Sequence, residues 1–153
     1  MITIANVATY SATNLQSEQI KQAVAQIVLA FADPVFVQTL TDHVYTSTTD
    51  TGPEVIAACT ALPWDLVIFV YSPGWRFWRR WSSALPWTDA QGIHIYASYM
   101  GRATLADLAG TIAHEYQHEL GYTHDYNPTP QRPDSEPYFV GNTVVDWVNA
   151  NKV

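Results

Sequence analysis

The residues best placed to do chemistry lie in one run, His114-Glu115-Tyr116-Gln117-His118-Glu119-Leu120-Gly121-Tyr122-Thr123-His124, which reads H-E-x-x-H-x-x-G-x-x-H. Histidines four apart share one face of a helix, a turn apart. Two imidazoles in that register reach a single metal ion at roughly 2.0–2.1 Å each. Glu115 lies beside that line, an offset that suits a carboxylate handling a metal-activated water instead of ligating the ion. Gly121 is where the helix can stop, because glycine takes positive φ without a Cβ penalty. The chain can then turn and return His124 as a third ligand. Three protein ligands leave the fourth tetrahedral position open, the arrangement of a catalytic Zn2+ and not of a closed structural one.

The elements that must position these groups are legible around them. The stretch 102–113 is rich in Ala and Leu. Thr104 is the expected N-cap, with Asp107 in the first turn where negative charge is favourable. Leu105, Leu108, Ile112 and Tyr116 recur at helical spacing, a stripe that packs the helix on a core while the histidines face a cleft. Upstream, 2–10 reads as a short strand. Ser17 opens a helix whose buried stripe is Ile20, Val24, Ile27, Val28 and Phe31, ended by Asp33-Pro34. Residues 35–45 read as a strand, with valines among threonines. A polar turn over 46–52 leads to a short helix over 53–62 with Pro53 in its first turn. The apolar run 66–71 reads as a strand buried on both faces, and 93–98 as a strand leading into the histidine helix. Residues 127–133 form a proline-stiffened loop. Val144, Val145, Trp147 and Val148 mark a short C-terminal helix. The expected fold is α+β: one mixed β-sheet packed against the N-terminal helix and the histidine helix, in a single domain over 1–153.

Composition bounds the partners. The chain has 153 residues, 48% of them apolar and 14% charged, which suits one domain with a sizeable core. A net charge of −7 argues against non-specific nucleic-acid binding. Cys59 is alone, so no internal disulfide and no cysteine metal cluster can form, and a buried inert thiol is its expected role. The start of the chain lacks the basic and apolar regions of a secretory signal. No stretch approaches the roughly 20 apolar residues of a membrane span. A cytoplasmic or non-classically exported protein without membrane contact is expected, unless an export segment lies outside these residues. Trp75, Arg76, Trp78, Arg79, Arg80 and Trp81 gather three of the seven basic residues. They read as an amphipathic turn or short helix with inward tryptophans, or alternatively as an Arg-on-Trp surface for an acidic or aromatic partner. His43 and His94 read as structural, with His94 able to face the cleft.

The histidine run resembles the zinc signature of the metzincin clan of metallopeptidases, and Asp125 directly after the third histidine matches the H-D ending of several metzincin families. The resemblance covers about a dozen residues. It implies His114, His118 and His124 as zinc ligands, Glu115 as general base and a zincin-like fold in which a strand near 93–98 borders the cleft. It also implies a tight turn carrying a methionine below the metal. Here the only methionines, Met1 and Met100, lie upstream. The residues at that place are 135–141, so Tyr138 or Phe139 is expected beneath the site instead. Tyr138 and Tyr126 are candidates to stabilise an oxyanion, and Asp125 to pin the loop of the third ligand. The expected function is a zinc metalloendopeptidase acting on peptide or protein substrates. The alternatives are a zinc-binding protein of the same fold without peptidase activity, and an aromatic-rich glycan binder. Oligomeric state, substrate and latency stay open.

Overall fold

The computed structural model describes residues 1–72 and 86–151; the Trp and Arg patch between Trp75 and Trp81 lies outside them. The chain folds as strand β1 (Ile4–Tyr10), helices α1 (Asn14–Ala32), α2 (Pro34–Asp42) and α3 (Gly52–Ala61), then strands β2 (Trp64–Tyr71), β3 (Trp87–Asp89) and β4 (Gly92–Tyr96). A short helix α4 (Ala97–Met100), the long helix α5 (Leu105–Glu119), a 3-10 turn (Arg132–Asp134) and helix α6 (Glu136–Ala150) follow among the described residues. The fold is α+β around a four-stranded mixed sheet of order β1-β2-β4-β3. β1, β2 and β4 run parallel, and β3 is the antiparallel edge, paired as Trp87↔His94 and Thr88↔Ile93.

β2 alternates and is not buried evenly on both faces as expected. Leu66, Ile68 and Val70 are buried, whereas Phe69 is half-buried and Tyr71 exposed. The buried side joins Ile20, Ile27, Phe31, Ala109 and Ile112 in one core. α1 and α6 both pack on α5.

Two expectations are corrected at the N-terminal half. α1 begins at Asn14, not at Ser17, because Thr13 and Gln16 form a reciprocal capping box. The segment 35–45, expected as a strand, is the helix α2 over most of its length. Asp33 decides this. Its Oδ1 accepts the Val35 N–H at 2.8 Å, and Pro34 occupies the first helical turn where its missing N–H costs nothing. Phe36 and Leu40, four apart, bury on one face, and the hydroxyls of Thr39 and Thr41 donate to the carbonyls of Val35 and Val37. Asp33 thus ends one helix and starts the next, with α1 and α2 bent 76° apart. No single helix among the described residues is long and apolar enough to cross a membrane.

Asp33 also ties this corner to the far end of the chain. Trp147 Nε1 on α6 donates to Asp33 Oδ2 at 2.7 Å. That bond, with the Val35 N–H, holds the Asp33 carboxyl below its ordinary range. A depressed carboxyl stabilises the fold above its unfolded pKa, about 3.9, and loses that contribution as pH falls through the folded value. Trp147→Phe is therefore expected to lower Tm by a few degrees at neutral pH, with the gap to wild type closing below about pH 4; thermal melts across pH check this.

Candidate metal centre

α5 is built to end where the chemistry needs it to. Thr104 and Asp107 form a capping box at its start, with Thr104 N–H donating to Asp107 Oδ2 at 2.9 Å and Asp107 N–H to Thr104 Oγ1 at 3.1 Å. Leu108, Ile112 and Tyr116 bury as expected, while Leu105 is partly exposed and outside the stripe. The C-terminal end is a Schellman cap. Gly121 N–H donates to His118 O and Tyr122 N–H to Gln117 O, each at 3.0 Å, with Gly121 at φ +93°. A Cβ at Gly121 would meet nothing, so the backbone conformation alone requires glycine.

This reversal brings His124 against His114 and His118. One ring nitrogen from each lies within 4.8 Å of the others. The remaining nitrogens are committed. His118 Nδ1 donates to Tyr122 O at 2.8 Å, His124 Nδ1 to Asp125 O at 3.0 Å, and His114 is hydrogen-bonded to the Pro137 backbone. A ring that donates from one nitrogen to a carbonyl presents a lone pair at the other. Burial pushes the His114 imidazole down to about 3, helped by the neighbouring His118 and His124, and burial also lowers His124. These two rings are neutral and metal-ready at ordinary pH. An all-imidazole donor set, each ring steadied by an outer acceptor, fits Zn2+ among the borderline metals.

Glu115, next along the helix, is buried at 5% exposure. Burial raises its carboxyl above the ordinary range, while Thr88 draws it back. The Thr88 hydroxyl lies 2.9 Å from Glu115 Oε2 and 3.1 Å from Glu115 O, able to donate to either. Thr88 belongs to β3, which corrects the expected cleft border. The strand expected over 93–98 stops at Tyr96 as β4 and sits inside the sheet, so the short edge strand β3 flanks the histidines instead. His94 accordingly does not line the cleft. It pairs with Asp89 at 2.9 Å and stacks between Phe69 and Trp87. His43 stacks on Phe139.

Residues 135–141 are not a turn. Glu136 and Pro137 open α6, which runs 15 residues and replaces the short C-terminal helix expected from Val144. Tyr138, in its first turn, sets its ring edge-on to His114 at 4.6 Å and to His124 at 4.7 Å between centroids. Tyr138, not Phe139, is therefore the side chain packed against the histidines. Tyr126 stands at 94% exposure with its ring 6.4 Å from His124. Asp125 does tie the loop: its carbonyl holds His124, and its Oδ2 accepts from Thr129. The cleft around these groups has a volume of about 670 Å³, with Thr88, His118, Tyr126 and Tyr138 on its walls.

Three features of the site had no expectation attached. Thr88 and Arg132 reach it from segments with no local motif. Gly110 and Gly141 let α5 and α6 approach closely, since a Cβ at Gly110 would lie 2.7 Å from Gly141 O and one at Gly141 would lie 3.0 Å from His114 Cβ. A lone glycine inside a helical pattern was the available signal for Gly110. No family model, curated protein or solved structure matches the chain significantly, so the reading of this centre rests on its own residues.

Proposed function

We propose that the protein is a zinc-dependent metalloendopeptidase of zincin-like fold, with His114, His118 and His124 as ligands and Glu115 as general base. The observation that carries this reading is the convergence of three imidazole nitrogens beside a buried carboxylate in an open cleft. A bound zinc ion would supply Lewis acidity and acidify a water in the open position. Glu115 would take the proton from the attacking water and return it to the leaving amine, while Thr88 holds one of its oxygens in place. The Tyr138 hydroxyl is a candidate to donate to the developing oxyanion. The antiparallel edge β3 beside the cleft supports an extended peptide adding as a further strand.

The tested quantities are metal content and chelator-sensitive cleavage. Purified protein is expected to hold about one zinc per chain, given a single three-histidine site of the catalytic type, and to cleave casein or a mixed peptide library. Chelator should abolish cleavage, and added Zn2+ restore it. The second reading, a zinc-binding protein without peptidase activity, is favoured by the absence of a methionine downstream of the histidines, where Tyr138 packs against them instead. One bound zinc with no cleavage of any peptide would select it, and absence of stoichiometric metal would remove both.

A further inference from the structure

A polar recess of about 240 Å³ opens beside the metal cleft, sharing Thr123, His124 and Arg132 with it. Arg132 is the only cationic side chain on its wall among the described residues. The Arg132 guanidinium lies 4.5 Å over the Tyr138 ring, and one of its Nη groups donates to the Tyr138 hydroxyl. That is its one side-chain hydrogen bond among the described residues, although a guanidinium carries five N–H donors. Its Nε is buried with no partner. It forms no ion pair among the described residues, and residues 73–85 and 152–153 contain no Asp or Glu.

A half-buried arginine held over a tyrosine ring, with donors unused and no ion-pair partner among the described residues, is prepared for a planar anion. The hydroxyls around it do not compete. Thr46 donates to Gln131 O, Ser47 to Glu136 and Ser135 to Arg132 O. Asp125 also lines the recess and opposes negative charge, so one charge is accommodated better than the nearly two of a phosphate monoester. We propose that Arg132 anchors a substrate carboxylate in this recess, next to the three histidines, and so selects the peptides that are cut. The carboxylate comes either from an acidic side chain near the scissile bond or from a free C-terminus. The inference rests on the peptidase reading for its substrate class.

The test compares zinc-loaded wild type, Arg132→Lys and Arg132→Gln, each verified by metal analysis, on two peptide pairs. One pair carries Glu or Gln beside the cleaved bond with the C-terminus amidated. The other has no acidic side chain and ends in a free acid or an amide. In wild type, one pair is expected to show an acid-over-amide ratio of kcat/KM of about tenfold or more, as charge-assisted hydrogen bonds give; that pair identifies the source. The ratio should approach one in Arg132→Gln and fall between for Arg132→Lys. Because each ratio is internal to one variant, a general loss of activity does not imitate it. No acid preference in either pair, or a preference that survives Arg132→Gln, overturns the anchor while leaving the peptidase reading intact. If no peptide is cleaved, that reading fails and an NMR titration with N-acetylglycine, which carries one carboxylate, against N-acetylglycinamide, which carries none, decides the anchor. N-acetylglycine should bind about tenfold or more tightly than the amide to wild type, and equally with it to Arg132→Gln. Equal binding of the two to wild type overturns it.

Discussion

Glu115→Gln is expected to keep its zinc and to cleave peptides about 10²–10⁴-fold more slowly, the range over which a positioned general base contributes. The amide preserves the shape of the side chain and its contact with Thr88, but cannot accept the proton. The three imidazoles and their carbonyl partners are untouched by the change, so metal content should stay at the wild-type level. Thr88→Val serves as the milder companion. It removes the hydroxyl at 2.9 Å from Glu115 Oε2, and loss of a hydrogen bond to a charged group costs about 10–100-fold. Metal analysis with initial rates on one peptide checks both. A Gln variant as active as wild type would remove Glu115 from the chemistry.

Gly110→Ala is expected to lower stability by about 1–3 kcal/mol, the usual cost of forcing a methyl into a packed interface. The added Cβ would stand 2.3 Å from Val145 Cγ2 and 2.7 Å from Gly141 O. The valine can turn aside; the carbonyl can move only with its helix. Adding Val145→Ala should therefore recover part of the loss and not all of it. Since α6 carries Tyr138 and the Pro137 partner of His114, a shift of that helix should also weaken zinc retention. Thermal melts and competition with a chelator measure the two effects. A Gly110→Ala protein as stable as wild type would show that the glycine pair is not what lets the helices meet.

The parts of this molecule that could be read in advance are those set by short-range chemistry. Thr104 and Asp107 cap one end of α5 and Gly121 the other, so the histidine helix lay plainly in the residue order. The valines and threonines of α2 favour a strand, but Asp33, Pro34 and the Phe36–Leu40 spacing outweigh that propensity. β3 leaves no mark in the sequence because three residues carry no period, and it exists only through pairing with β4. The start of α6 was hidden by Pro137, which reads as a breaker but stands in the first turn. Thr88 and Glu115 are 27 residues apart, and nothing local to either announces the other. Arg132 likewise gains its meaning from the ring of Tyr138 and from having no ion-pair partner among the described residues, both of them three-dimensional facts.

The loop 43–51 carries a consequence for the order in which the molecule assembles. Tyr122, whose carbonyl holds His118, donates its hydroxyl to Asp50, and Thr46 and Ser47 bond to Gln131 and Glu136. These partners are 72, 85 and 89 residues apart in the chain. Contacts of such separation require large loops to close and so form late in folding. The helices can be complete while the segments bearing His124 and Arg132 are still untied. A chain arrested at that stage would look well folded by its helical content and yet be unable to hold an ion.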